Sequence, residues 1–323
     1  MMSSRNSLLL ASGLAAAFLV SSCGGEPPSG DPEDYPEQDI EIIVGFGPGG
    51  GTDVFARQIA RQIEEKTGVN IQINNMDGAG GANAIQAAQG RSTDGYTWLA
   101  DASLGIIAGR DEMDGGPLGA LQPVAQFEDE IFQLFTLPEN FESWDEFVDA
   151  SEEETMRIGG TGAGGAADLV VHELILESGL DWEYIPFDGT GELYTALQSD
   201  NIDAALGTYG HRPDEIEAGV FHSLLIMHDE ELDEFEGIPT SVGEGIDVTT
   251  GNTRGIMVHP DVDDEIAAEI EELLYEVHES QEYQDHLASL YIDSRSGWLD
   301  SEDYREFTLE YAELSHEVFS EAR

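Results

Sequence analysis

The chain has 323 residues, of which 67 are acidic and 12 basic, giving a net charge of -55. So few cations exclude a nucleic-acid partner, because phosphate backbones are held by clustered Lys and Arg. A hydrophobic fraction of 40% excludes a disordered polyelectrolyte, and a lone cysteine, Cys23, excludes a disulfide framework.

The acids are spread along the whole chain, mostly on the polar faces of helical patterns, as with Glu265, Glu269, Glu271 and Glu272. Such charge repels itself in dilute buffer, and salt relieves the repulsion by shrinking the Debye length to about 3 Å at 1 M. The expectation is a halophile's protein that works in concentrated salt.

Arg5 is the only charge in the first 25 residues, and an apolar run from Leu8 to Val20 follows. That run is too short to span a bilayer, which takes about 20 apolar residues, and suits a secretory h-region. It ends in Val20-Ser21-Ser22-Cys23, a lipobox-like close, so residues 1–23 read as a lipoprotein signal with Cys23 as the lipidated residue. Residues 24–37 are acidic and Pro-rich without periodicity and read as a flexible tether.

The β-branched run Ile42-Ile43-Val44 then breaks into five glycines, Gly45, Gly47, Gly49, Gly50 and Gly51, before Thr52 and Asp53 open a helical pattern. A strand, a bare loop and a helix N-terminus make an anion site, since free N–H groups and the positive end of the helix dipole point the same way. Gly45, Gly47 and Gly50 also fit the dinucleotide fingerprint, but Pro48 interrupts it, and an exported protein has no nicotinamide pool. No phosphate-loop motif, nucleophile elbow, zinc-protease helix or cysteine-metal spacing occurs, and the eight histidines are scattered. No catalysis, cofactor or metal is expected.

Strand-like and helix-like runs continue to alternate through Val69–Asn74, a Gly78–Gly81 turn, Tyr96–Ala100, Val124–Phe127 and Phe132–Leu137, the last two read as closing a first unit. Ser143 and Glu146 form a capping box. The opening pattern then recurs: a strand to Gly159, a second glycine loop over Gly160–Gly165, and a helix to Gly179. Long amphipathic helices fill 261–278, 280–290 and 301–320, with Ile266, Ile270, Leu273, Leu274 and Val277 as core. Alternating strands and helices imply parallel sheets, and open α/β sheets bind ligands at the carboxyl ends of their strands. Two such turns facing each other would hold one small ligand between lobes.

The stretch from Tyr35-Pro36 to Tyr96-Thr97 resembles the opening of the tripartite tricarboxylate transporter substrate-binding proteins, the Bug or TctC-like family. The resemblance rests on Phe46, Pro48-Gly49-Gly50, Thr52-Asp53, Ala56-Arg57, Gly78-Ala79-Gly80-Gly81 and Asp94-Gly95-Tyr96-Thr97. Later, Gly159–Gly165, Pro186-Phe187-Asp188-Gly189, Ile238-Pro239-Thr240 and Glu244-Gly245 are similar to further family signatures. The resemblance implies an α/β, two-lobed periplasmic-binding-protein fold (type II, Venus flytrap) with a parallel-type sheet in each lobe. The expected division is 38–137 plus 257–323 for lobe 1 and 138–256 for lobe 2. It further implies capture of a small carboxylate in the interdomain cleft, and delivery to the large and small membrane permease subunits of a tripartite transporter. The chain departs from the family at Gly45, at Met76-Asp77 and at Asp188, where Lys is frequent.

The candidate ligand contacts are Phe46, Gly47, Pro48, Gly49, Gly50, Thr52 and Asp53, mostly through backbone N–H, with helix capping as the other role for Asp53. Thr161 and Gly162 are the second set. Ser103 (with Ala102) and Thr208 (with Tyr209) follow strands and face the same rim. Asp188 either meets the ligand or is one more surface acid. Gly78–Gly81 reads as a packing turn, Arg254 as a cleft residue or a surface ion pair, and His211-Arg212 as readers of the ligand's distal end. No role is assigned to 101–116. The protein is expected to be a monomeric, extracytoplasmic receptor, anchored by lipid to the outer face of the cytoplasmic membrane. An exported enzyme acting on a small anion, or a ligand-sensing subunit, are the alternatives.

Overall fold

The computed structural model describes residues 32–102, 104–111 and 116–322. The leader with Cys23, the first part of the tether and Ser103 lie outside the described residues. A 3-10 turn at Pro32–Asp34 leads to Tyr35, whose hydroxyl donates to the Gly95 carbonyl at 2.7 Å and accepts from Trp98 Nε1 at 3.2 Å. The chain is thus tied to the first lobe from Tyr35 onward, before the expected end of the tether.

In chain order the first lobe contributes β1 (Ile40–Val44), α1 (Gly51–Thr67), β2 (Ile71–Asn75), α2 (Ala82–Gln89), β3 (Thr97–Asp101), α3 (Leu104–Asp111), α4 (Gly116–Ala120) and β4 (Gln122–Glu130). The second contributes β5 (Phe132–Thr136), α5 (Trp144–Glu153), β6 (Met156–Thr161), α6 (Ala166–Ser178), β7 (Trp182–Phe187), α7 (Thr190–Gln198), β8 (Ala204–Thr208), α8 (Pro213–Glu217) and β9 (His222–Ile226). The chain then returns through β10 (Asn252–Val258) to α9 (Asp264–His278), α10 (Gln281–Ser289) and α11 (Ser301–Glu321).

The two sheets repeat one plan, β2-β1-β3-β10-β4 and β7-β6-β8-β5-β9. Each has a parallel core of three strands extended through two antiparallel pairings, so that β10 in one sheet and β5 in the other run against the rest. β1 and β8 are buried almost throughout because helices cover both faces, which is why they lack the alternation of a half-exposed strand.

The lobe boundaries differ from the sequence expectation. The strand expected to close the first unit, β5, pairs instead with β8 and β9 of the second sheet. Only Ile131 separates β4 from β5, too short a link for a hairpin, so the chain runs straight from one sheet into the other. On the return, β10 pairs with β3 and β4, so residues 252–256 belong to the first sheet. Each lobe therefore receives its fourth strand from a chain arriving out of the other lobe.

The final helix also crosses the boundary. Tyr304 near its start donates to Asp101 of the first lobe at 3.2 Å, whereas Val318 near its end lies in the apolar cluster of the second. α3 packs along it through Gly105 and Gly109, where a Cβ would overlap backbone atoms of Thr308 and Ala312. That packing gives the α3 part of the segment 101–116 a structural role. The expected stripe on α9 is core: Ile270, Leu273, Leu274 and Val277 are buried and Ile266 is partly buried. Ser143 caps α5 by accepting from the Glu146 N–H at 3.3 Å, as its capping box predicts.

Candidate functional site

Between the lobes lies a cavity of about 410 Å³, walled by the turn from β1 to α1, the turn from β6 to α6 and the turn from β7 to α7. Its size is that of a small-molecule site. The three helices that open onto it have glycine at the N-cap, Gly50, Gly165 and Gly189, and among the described residues no side chain caps them. Among the other helices, α5, α9, α10 and α11 are closed by Ser143, Asp263, Ser280 and Asp300, each accepting first-turn N–H groups, whereas α2 and α8 also begin without a side-chain cap. The sequence thus leaves donors free at all three helices that meet the cavity. Three open N-termini put N–H groups and positive dipole ends into one space, which favours an anion.

Each main turn is held from behind by a carboxylate. Asp53, buried at 3% exposure, accepts from the Gly49 N–H at 2.9 Å, from Arg57 through Nε and Nη2 at 2.9 Å each, and from Asn75 at 2.9 Å. Burial pushes its pKa up, and the bonds from Arg57, Gly49 and Asn75 outweigh this and hold it below its ordinary value. Asp168 repeats the arrangement: it accepts from the Gly164 N–H at 2.6 Å, and His172 Nδ1 stands 2.9 Å from its other oxygen and 2.8 Å from the Asp168 backbone carbonyl. The Asp168 carboxylate and carbonyl together outweigh burial and raise the His172 pKa.

Beneath α1 the cavity floor is charged. Arg254, 3% exposed, pairs with Glu128 at 2.7 Å and Glu130 at 2.6 Å. Tyr283 donates to Glu128 at 2.8 Å and Asn252 to Glu130 at 2.9 Å. Burial opposes the Arg254 charge, but Glu130 and Glu128 outweigh it and raise its pKa. A Cβ on Gly51 would overlap this guanidinium, so the first residue of α1 is glycine because an arginine lies against it. Beside it His211 is neutral, burial pushing its pKa down to about 4. Arg212 places its guanidinium over the Tyr194 ring, 5.5 Å from the centroid.

Of the residues chosen from sequence, Phe46, Gly47, Pro48, Gly49, Gly50, Thr52, Thr161 and Asp188 line the cavity. Asp53 stands behind the loop. Gly162 has its backbone engaged, its N–H donating to Phe187 at 3.0 Å and its carbonyl accepting from Tyr184 at 3.0 Å. Its Cα faces Gly80 and Phe46, so it belongs to the seam between lobes. Gly80 approaches the Ala163 carbonyl there, which gives the Gly78–Gly81 turn an interlobe contact as well as its packing of Gly81 on Gly45. Thr208 is 1% exposed and lies outside the cavity. Ser103 is outside the described residues.

The cavity also takes Phe132, Thr190, Gly191 and Asn252, which sequence reasoning missed, and Ala102, His211, Arg212 and Arg254, which it left open. The α7 turn had a usable signal: Asp188-Gly189-Thr190 repeats the strand, glycine and helix pattern a third time. Among the described residues no cluster of His, Cys, Asp or Glu could hold a metal, and no helix is long and apolar enough to cross a membrane.

Residues 55–321 match the tripartite tricarboxylate transporter family receptor. The chain is similar to BugT of Bordetella pertussis, at 28% identity over 230 residues, 69% of this chain and 70% of that protein. In structure it is similar to MatC of Rhodopseudomonas palustris with bound malate, at a TM-score of 0.77 and 21% identity, over 88% of this chain and 100% of that one. It is similar also to a Rhodopseudomonas palustris protein with adipate, at a TM-score of 0.75 and 17% identity, over 88% and 98% of the two chains.

Proposed function

The chain belongs to the tripartite tricarboxylate transporter receptor family, and on that premise we propose that it captures a small carboxylate in the cavity between its lobes and hands it to a membrane permease. It is a solute receptor and not an enzyme. The observation that carries the ligand reading is the convergence of the uncapped N-termini of α1, α6 and α7 on one cavity. A carboxylate accepts N–H bonds there without a dedicated counter-ion. Malate and adipate, bound by two proteins of the same fold, are the first ligands to try.

The test is thermal melting of residues 31–323 in molar KCl with a panel of carboxylates. A ligand at a hundred times its dissociation constant adds about 2.7 kcal/mol to stability. A shift with a carboxylate supports the reading, and no shift from any member of the panel removes it.

The lipid anchor at Cys23 is part of the proposal. Export of a Cys23→Ser variant to the soluble fraction, with the parent held in the membrane, supports it; equal partitioning removes it. Function in concentrated salt rests on the net charge of -55. Cooperative melting in salt-free buffer at the same temperature as in molar salt would contradict it.

A further inference from the structure

The cavity carries two arginines in a chain with 12 basic residues, and they are held differently. Arg254 faces two carboxylates at bonding distance and is fixed in the floor. Arg212 has one, Glu215, which meets Nη1 alone at 3.3 Å. A guanidinium has five N–H donors in a rigid fork, so most of this one is uncommitted. Its Nε is buried and has no partner among the described residues. Its Nη2 lies next to the first turn of α7, where a Cβ on Gly191 would be 3.9 Å away. The Tyr194 ring lies under the guanidinium, at cation–π distance.

Three neighbours bear on what this fork can take. Thr190 and Gly191 open α7 into the cavity, and Gly189 leaves their N–H groups uncapped. His211, adjacent in sequence, lines the same cavity, and its Nδ1 is buried without a partner among the described residues. Asp188 also lines the cavity but is exposed, so water screens its charge. The pair with Glu215 alone would explain an arginine on the surface. It does not explain one laid over a buried tyrosine with its Nε inside the protein.

We propose that Arg212, with the open N-terminus of α7, is a second anion locus, and that it makes this receptor select ligands carrying two anionic groups over their singly charged analogues. This rests on the reading of the cavity as a carboxylate site. The turns of α1 and α6 take one carboxylate of the ligand, and Arg212 takes the other.

The experiment compares matched pairs, succinate with butyrate and adipate with hexanoate, by calorimetric titration of residues 31–323 in molar KCl. The parent is expected to bind one dicarboxylate at least about tenfold more tightly than its partner, the scale of a charge-assisted bond. Arg212→Gln is expected to lose that margin while keeping the affinity for the monocarboxylate, and Arg212→Lys to recover part of it. Equal affinity of the parent for both members of each pair overturns this inference and leaves the receptor reading standing. So does an Arg212→Gln variant that melts like the parent and retains the margin, or one that loses both ligands equally. If the parent binds no carboxylate in either pair or in the wider panel, the receptor reading falls and the role of Arg212 falls with it.

Discussion

The two glycine turns that face each other across the cavity are built alike and braced differently. In both, the third residue of the helix folds its carboxylate back onto the loop, Asp53 onto the Gly49 N–H and Asp168 onto the Gly164 N–H. In both, a basic side chain one turn later holds that carboxylate, Arg57 in one lobe and His172 in the other. Beneath them the resemblance stops. α1 lies on the Arg254, Glu128 and Glu130 cluster, whereas α6 starts with Ala166 and Ala167, packed in an apolar cluster and against Tyr184. One backbone device can thus rest on buried charge or on packing, and the support decides which substitutions and which conditions disturb it.

The largest expected effect separates the supports. Arg254→Met leaves Glu128 and Glu130 buried without their cation, and removing one partner of a buried ion pair costs about 3 to 5 kcal/mol. In the other lobe, Tyr184→Phe removes one hydroxyl bond to the Gly162 carbonyl and should cost about 0.5 to 1.5 kcal/mol. Chemical denaturation in molar salt measures both. Similar losses for the two variants would mean that the ionic floor is no firmer a support than the apolar one.

The next contrast is at the first helical residue, Gly51 in one lobe and Ala166 in the other. Gly51→Ala drives a methyl group into a guanidinium pinned on two sides, and overpacking of this kind costs about 1 to 3 kcal/mol. Ala166→Gly only loosens the backbone, for about 0.5 to 1 kcal/mol. If Gly51→Ala melts like the parent, Arg254 yields more easily than its two ion pairs imply.

What the sequence revealed and concealed follows the same division. The β1 to α1 turn was legible because five glycines between an apolar run and Thr52-Asp53 permit few other structures. The stripe on α9 and the capping box at Ser143 were legible because they are local patterns. The sheet that receives β5 was not, since all five of its side chains are buried and no alternation marks a face. Nor was the Arg254 cluster, whose partner Glu128 is 126 residues away in a chain where any arginine has many acids to choose from. Its position at a strand end predicts Thr208 at the rim. The strand delivers it into the interior, and the following turn carries His211 and Arg212 to the cavity instead.

The smallest expected effect is the most specific to the comparison, because it turns on one residue in each lobe. Arg57 stays charged throughout the working range, and Asp53 has its pKa lowered. Its bond therefore stabilises above the ordinary carboxylate range and is lost only as the pH falls through the depressed folded value. His172 has its pKa raised from 6.5 by Asp168. Its stabilisation is complete below 6.5 and fades as the pH rises through the folded value. Between about pH 6 and 8 the first brace should be flat and the second should weaken, by under about 1 kcal/mol for a partly solvated pair. His211 and His278, whose pKa values burial lowers, slope the other way but are common to parent and variant and cancel in the difference. The advantage of the parent over His172→Gln in denaturant melts should shrink from pH 6 to pH 8. His172→Arg should flatten the second brace, and Arg57→His should give the first brace the slope that the second has in the parent. A pH-independent gap between parent and His172→Gln would show that His172 acts through its packing against Phe319 and Tyr184 rather than through its charge.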